Sequence, residues 1–85
     1  MNFLKYELGN VDAGTVVTTT LSGDESDVFL VDPTNFAAMQ RGKQFKYIGG
    51  HYKKSPVVLV VPARGHWTTV VVPSGKVTAS FKVSR

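Results

Sequence analysis

Cysteine is absent from the 85-residue chain, which removes disulfides and thiolate-rich zinc sites from the ways its fold could be reinforced. Acid is absent from its second half. All six acidic residues (Glu7, Asp12, Asp24, Glu25, Asp27, Asp32) lie within the first 32 positions, and nine of the ten basic residues fall from Arg41 onward. The net charge of +4 therefore hides a polarity along the chain, and the second half alone has the composition of something that meets anions. Histidine is scarce. His51 and His66 share no His-x-His or His-x-x-x-His spacing, so the sequence calls for no metal and no other cofactor. Long apolar runs are also missing, the longest being Pro56 to Pro62, far short of the ~20 residues that cross a bilayer. The opening "MNFLKYELGN" lacks the basic region and apolar run of a secretory signal. The expectation is a soluble, cytoplasmic protein with no membrane partner.

What is present favours strands. Threonine and valine dominate, and β-branched side chains suit a pleated, half-buried surface. At the end of the chain Val77, Ala79, Phe81 and Val83 alternate with polar residues, as Leu4, Tyr6 and Leu8 do at its start. Further strands are expected near Thr15–Leu21, Asp27–Val31, Gln44–Ile48, Pro56–Val61 and Trp67–Val72. Turn chemistry separates them at Gly9-Asn10, Asp12-Ala13-Gly14, Ser22-Gly23-Asp24, Gly49-Gly50 and Pro73-Ser74-Gly75. This spacing predicts one all-β domain over residues 1–85, an antiparallel β-sandwich, jelly-roll-like, of about seven strands. One segment departs from it. In "VDPTNFAAMQRGK", Asp32 can cap a helix, Pro33 suits its first position, and Gly42 can end it. A short helix near residues 33–41 is expected to cap one end of the sandwich, with Phe36 on its buried face.

Catalysis finds little material. No Gly-x-Ser-x-Gly is present, and Ser55 and Ser74 are explained by turns. Asp24, Glu25 and Asp27 read as a solvated loop leading into a strand. The richer segment is Arg41 to Lys54, "RGKQFKYIGGHYKK", where five of fourteen residues are basic and Phe45, Tyr47 and Tyr52 are interleaved. Cations that neutralise phosphate beside aromatic faces that stack on bases suit single-stranded nucleic acid or nucleotides. Against this stands a plainer reading. In a strand from Lys43 to Ile48, Phe45 and Tyr47 point one way into a core and Lys46 points the other way into water. On the binding reading, Gly49-Gly50 would bring the chain round as a hairpin and could expose backbone amides to an anion.

"VVPARGHWTTV" raises a similar choice. Neighbouring strand residues face opposite ways, so His66 and Trp67 cannot share a surface within a regular strand. Two hairpin registers compete. A four-residue loop, Pro62 to Gly65, pairs Trp67 with Val60; a five-residue loop, Pro62 to His66, pairs it with Val61. The second is preferred because it leaves His66 at a solvated rim and sends Trp67 into the core, where Phe81 and Tyr47 are also expected.

Leu21-Ser22-Gly23, Asn35-Phe36, Tyr47 with Gly49-Gly50-His51, Ser55-Pro56-Val57, and Val61-Pro62 before Gly65-His66-Trp67 occur in a telling order. From Tyr6 to Val83 the set resembles a small bacterial family of uncharacterised domains, found alone or joined to Toll/interleukin-receptor (TIR) domains. In that family's pattern polar residues stand where this chain has Val58 and Val60. The resemblance implies no activity; by analogy it implies a sensing or recruitment module and a TIR-domain protein as partner.

Three functions remain in play. The first is a non-catalytic module that binds an anionic ligand: a nucleotide, a phosphorylated small molecule or nucleic acid. Its surface would join Lys46, Gly49, Gly50, His51, Lys53 and Lys54 to the rim residues Arg64 and His66. The second is a structural or homo-oligomerisation domain, motivated by Val57–Val61, apolar on both faces. The third is a small hydrolase using His51 or His66 as base.

Overall fold

Alternation along each strand segregates the chain into layers in a computed structural model that describes residues 2–84. The elements are β1 (Leu4–Val11), β2 (Val16–Gly23), β3 (Ser26–Val31), α1 (Pro33–Gln40), β4 (Ile48–Tyr52), β5 (Val57–Val60), β6 (Gly65–Pro73) and β7 (Val77–Ser84). Two antiparallel sheets pack face to face, one of four strands in the order β1-β6-β3-β4 and one of three in the order β5-β2-β7. The fold is the expected all-β sandwich with one short helix. No described helix is long and apolar enough to cross a membrane.

The main core lies between the sheets. Val28, Leu30 and Val71 of the larger sheet meet Val17, Val57 and Leu59 of the smaller, with Val61 beside them. Each such side chain contributes roughly 1.5–3 kcal/mol through burial. The alternate residues of β3 and β6 are apolar too, and a second cluster explains them. Phe29, Val31 and Val70 point out of the sandwich and are covered by Met39, with Phe36, Phe45 and Phe3 around them. Strands β3 and β6 thus read as near-continuous apolar runs because both faces are buried.

The helix therefore covers the outer face of the larger sheet rather than an end of the sandwich. Its start is as expected: the Asp32 carboxylate accepts the Asn35 N–H at 2.8 Å, and Pro33 occupies the first turn. Asn35 then ties the helix to the segment that follows. Its Nδ2 donates to Asp32 at 2.9 Å, and its Oδ1 accepts the Lys46 N–H at 2.7 Å.

Two expectations fail, both because pairing is less local than the turn residues imply. The fourth strand is not 44–48; it begins at Ile48, and Gly49-Gly50 lies inside it, paired with Phe29 and Val28. A side chain at Gly49 would strike the Val28 carbonyl and the Phe29 backbone, and φ there is +144°. Glycine serves close strand approach at this point, not a turn. Nor do β5 and β6 form a hairpin, so neither register proposed for it exists. β5 pairs with β2, β6 with β1 and β3, and residues 62–64 carry the chain between the sheets. Trp67 nevertheless packs against the main core, and its indole N–H donates to the Ala63 carbonyl at 2.9 Å. Phe36 and Phe81 also pack against the clusters, whereas Tyr47 is half exposed.

Candidate functional site

Residues 41–47 run as irregular chain across the outer face of the larger sheet, and they bring the aromatic side chains of the basic segment to the surface. With Lys46 held through its N–H by Asn35, the flanking Phe45 and Tyr47 turn toward Phe29. The three rings form a triangle, their centroids 5.6 Å (Phe29–Phe45), 5.2 Å (Phe29–Tyr47) and 5.5 Å (Phe45–Tyr47) apart. All three pairs are tilted at 44–48°, an arrangement that aromatic quadrupoles favour. Phe29 is buried beneath them, yet Tyr47 keeps 50% of its surface exposed. A strand register would have sent Phe45 and Tyr47 into the main core; the irregular segment leaves Phe45 half-buried on the outer cluster and Tyr47 exposed, a shelf over Phe29.

An open pocket of about 230 Å³ adjoins this shelf, lined by Asp27, Phe29, Phe45, Tyr47, Gly50 and His51. The register places its polar end. Asp27 and His51 are cross-strand partners of β3 and β4 and point to the outer face with Phe29. His51 Nδ1 lies 2.7 Å from Asp27 Oδ1, and Nε2 lies 3.2 Å from Glu25 Oε1. The hydrogen bond to Asp27 above all, and that to Glu25 next, hold the imidazole pKa above its ordinary 6.5. When both ring nitrogens donate, the ring is an imidazolium bridging two carboxylates. On the other side of Tyr47 lies a second recess of about 180 Å³, bounded by Asp32, Asn35, Lys46, Ile48 and Trp67. Tyr47 is a wall common to both.

The structure brings together only part of the expected surface. Lys46, Gly50 and His51 line these recesses, Gly49 is exposed against Phe29, and Lys53 and Lys54 follow on the exposed turn after β4. Arg64 and His66 line neither recess, although Trp67 beside His66 bounds the second. His51 is level with Asp27 and Val72, six residues along β6 from His66, so strand rise alone puts the two histidines roughly 20 Å apart. At that far end Arg64 Nε sits 3.6 Å from Asp12 Oδ1, and His66 is exposed opposite Asn10.

Sequence reasoning passed over Phe29 and set Glu25 and Asp27 aside as a solvated loop. The signal was present. Glu25 and Asp27 stand two apart at the start of a strand, hence on one side, and Phe29 continues that side. Only the pairing of β3 with β4 brings His51 to them.

Chemically the arrangement can stack a planar ring, accept hydrogen bonds at carboxylate oxygens and offer positive charge at its margins. Among the described residues no group of three potential ligands is placed to hold a metal. A family model described as "Domain of unknown function (DUF1883)" matches residues 1–85. No curated protein and no solved structure matches the chain.

Proposed function

The chain belongs to the DUF1883 family, a domain of unknown function, and from that premise we propose that it is a non-catalytic module binding ring-bearing anions of the nucleotide class. The observation that carries this reading is the exposed Tyr47 ring, set against half-buried Phe45 and buried Phe29 and beside Lys46. A pocket of about 230 Å³ is below the usual range for drug-sized ligands and suits a single ring system. The ring would stack on Tyr47, an amino or hydroxyl group would donate to Asp27, and phosphate would meet the exposed lysines at the margin. His51 offsets part of the carboxylate charge that would otherwise repel the phosphate.

A binding role is also favoured over a catalytic one. Both nitrogens of His51 are engaged by carboxylates, so the ring has no free position from which to take a proton. The resemblance to domains joined to TIR domains supports a recruitment role for the bound state, with the protein acting in the cytoplasm.

Calorimetric titration at low salt with nucleoside monophosphates, inorganic phosphate and short single-stranded oligonucleotides tests the proposal. Nucleotides are expected to bind and phosphate alone to bind far more weakly. Tyr47→Ala should weaken nucleotide binding by about 5- to 100-fold, the effect of one lost base–aromatic stack. If oligonucleotides bind better than mononucleotides, log K should fall with log salt by about 0.7 for each phosphate engaged. Absence of heat with every nucleotide and oligonucleotide at low salt overturns the reading.

A further inference from the structure

Among the described residues seven large apolar ones stand exposed, and they fall into three groups. Tyr47 and Ile48 belong to the site described above. Val58 and Val60 lie on the outer face of β5. Leu4, Tyr6 and Val83, at 40%, 41% and 38% exposure, lie on β1 and β7, which flank the same side of the sandwich. There the Tyr6 ring stacks on Phe81 with centroids 5.1 Å apart and planes 12° from parallel. The inner faces of both sheets reach solvent along this side.

The two edges of the smaller sheet differ in what they offer a further strand. The Val61 N–H donates to the Thr15 carbonyl, and the Asp24 N–H donates to the Lys76 carbonyl. With the registers of β2, these bonds fix which groups point inward. On β5 the outward residues are Pro56, Val58, Val60 and Pro62, so proline removes the donor at both ends of a four-residue strand. On β7 they are Val77, Ala79, Phe81 and Val83. This edge is eight residues long, pairs with β2 without a bulge, and contains no proline.

We propose that β7 pairs with β7 of a second copy about a two-fold axis, joining the smaller sheets of two chains into one six-stranded sheet. Antiparallel edge pairing is self-complementary, as a two-fold interface requires. One register uses every free group: Val77 opposite the partner's Val83 and Ala79 opposite the partner's Phe81. Eight backbone hydrogen bonds then close across the axis, where Ser80 faces Ser80 of the partner subunit. In the same register Lys82 faces the partner's Thr78, so the lysines of the edge do not oppose each other. The axis also brings the Leu4, Tyr6 and Val83 side of each copy against its mate. An eight-residue strand is roughly 27 Å long and the thinnest dimension of the molecule is 16 Å. Two such walls remove on the order of 900 Å² from water, at the weak end of specific interfaces, so the dimer should form at micromolar concentrations.

Sedimentation velocity of the whole chain from about 1 to 500 µM tests this. The expected result is a monomer–dimer equilibrium within that range. Ala79→Pro removes an N–H that no strand within the monomer uses; it should weaken the dimer by at least tenfold while leaving the circular dichroism of the monomer unchanged. Thr78→Lys sets like charges across the axis and should weaken dimerisation about tenfold. Adding Lys82→Glu to Thr78→Lys should restore it, and this pair stands whether or not the proline variant folds. A strict monomer throughout, or a dimer indifferent to Thr78→Lys, overturns the proposal.

Discussion

His51 is the residue whose environment departs most from what its neighbours in sequence imply. It follows two glycines and precedes Tyr52-Lys53-Lys54, a run that suggests only positive charge. The structure instead supplies two carboxylates, Asp27 at 2.7 Å and Glu25 at 3.2 Å. A pKa raised on folding means that the folded protein holds the proton more tightly than the unfolded chain. The stabilising contribution is therefore complete below the unfolded value of 6.5 and is lost as pH rises through the higher folded value. A proton titration followed by NMR should place the His51 midpoint above 6.5, and Asp27→Asn should lower it more than Glu25→Gln. An equal effect of both variants would contradict the assignment of Asp27 as the main cause. Loss of the imidazolium also leaves the two carboxylates uncompensated, so nucleotide binding should weaken across the same pH interval.

At the scale of elements, the legible parts were those whose signals are local. The helix was readable because Asp32, Pro33 and Gly42 act within one or two turns of themselves, and the last strand because its alternation runs unbroken from Val77 to Val83. Strand β4 was not, because its defining residue acts through a partner 20 positions earlier. Gly49 looks like a turn glycine until the Phe29 backbone is placed against it. The same displacement hid the site, since a strand at 44–48 would have buried in the main core the Tyr47 ring that the structure leaves exposed and the Phe45 ring that it leaves half-buried outside it. Gly49→Ala tests the reassignment. A turn glycine replaced by alanine costs about 1 kcal/mol. A Cβ driven into the Val28 carbonyl and the Phe29 backbone, at a positive φ, should cost clearly more, roughly 2–4 kcal/mol. Denaturant unfolding measures the difference. Fraying of β4 should also release His51 from Asp27, so the raised titration midpoint is expected to fall in the same variant.

For the whole molecule, the sandwich was legible and its connections were not. Strand count follows from alternation and turns, whereas pairing depends on which sheet each strand joins, and among the described residues β3 and β4 are the only consecutive strands that pair. That topology divides the basic second half of the chain. Residues 41–47 go to the aromatic shelf and Lys53 and Lys54 to the exposed turn after β4, while Arg64 and His66 lie beside Asp12 and Asn10. Charge that is contiguous in sequence is thus spread in space, with Lys46 and Trp67 on the recess that lies between the His51 end and the His66 end. The roughly 20 Å between His51 and His66 exceeds the Debye length of about 8 Å at physiological salt, so the far-end cations are screened from a ligand in the Asp27–His51 pocket. Arg64→Ala with His66→Ala should therefore change nucleotide affinity by less than twofold in 0.15 M salt, whereas Lys46→Ala should lower it several-fold. An equal loss in both variants, measured by the same titration, would mean that the ligand spans both ends and that one shelf is not the whole site.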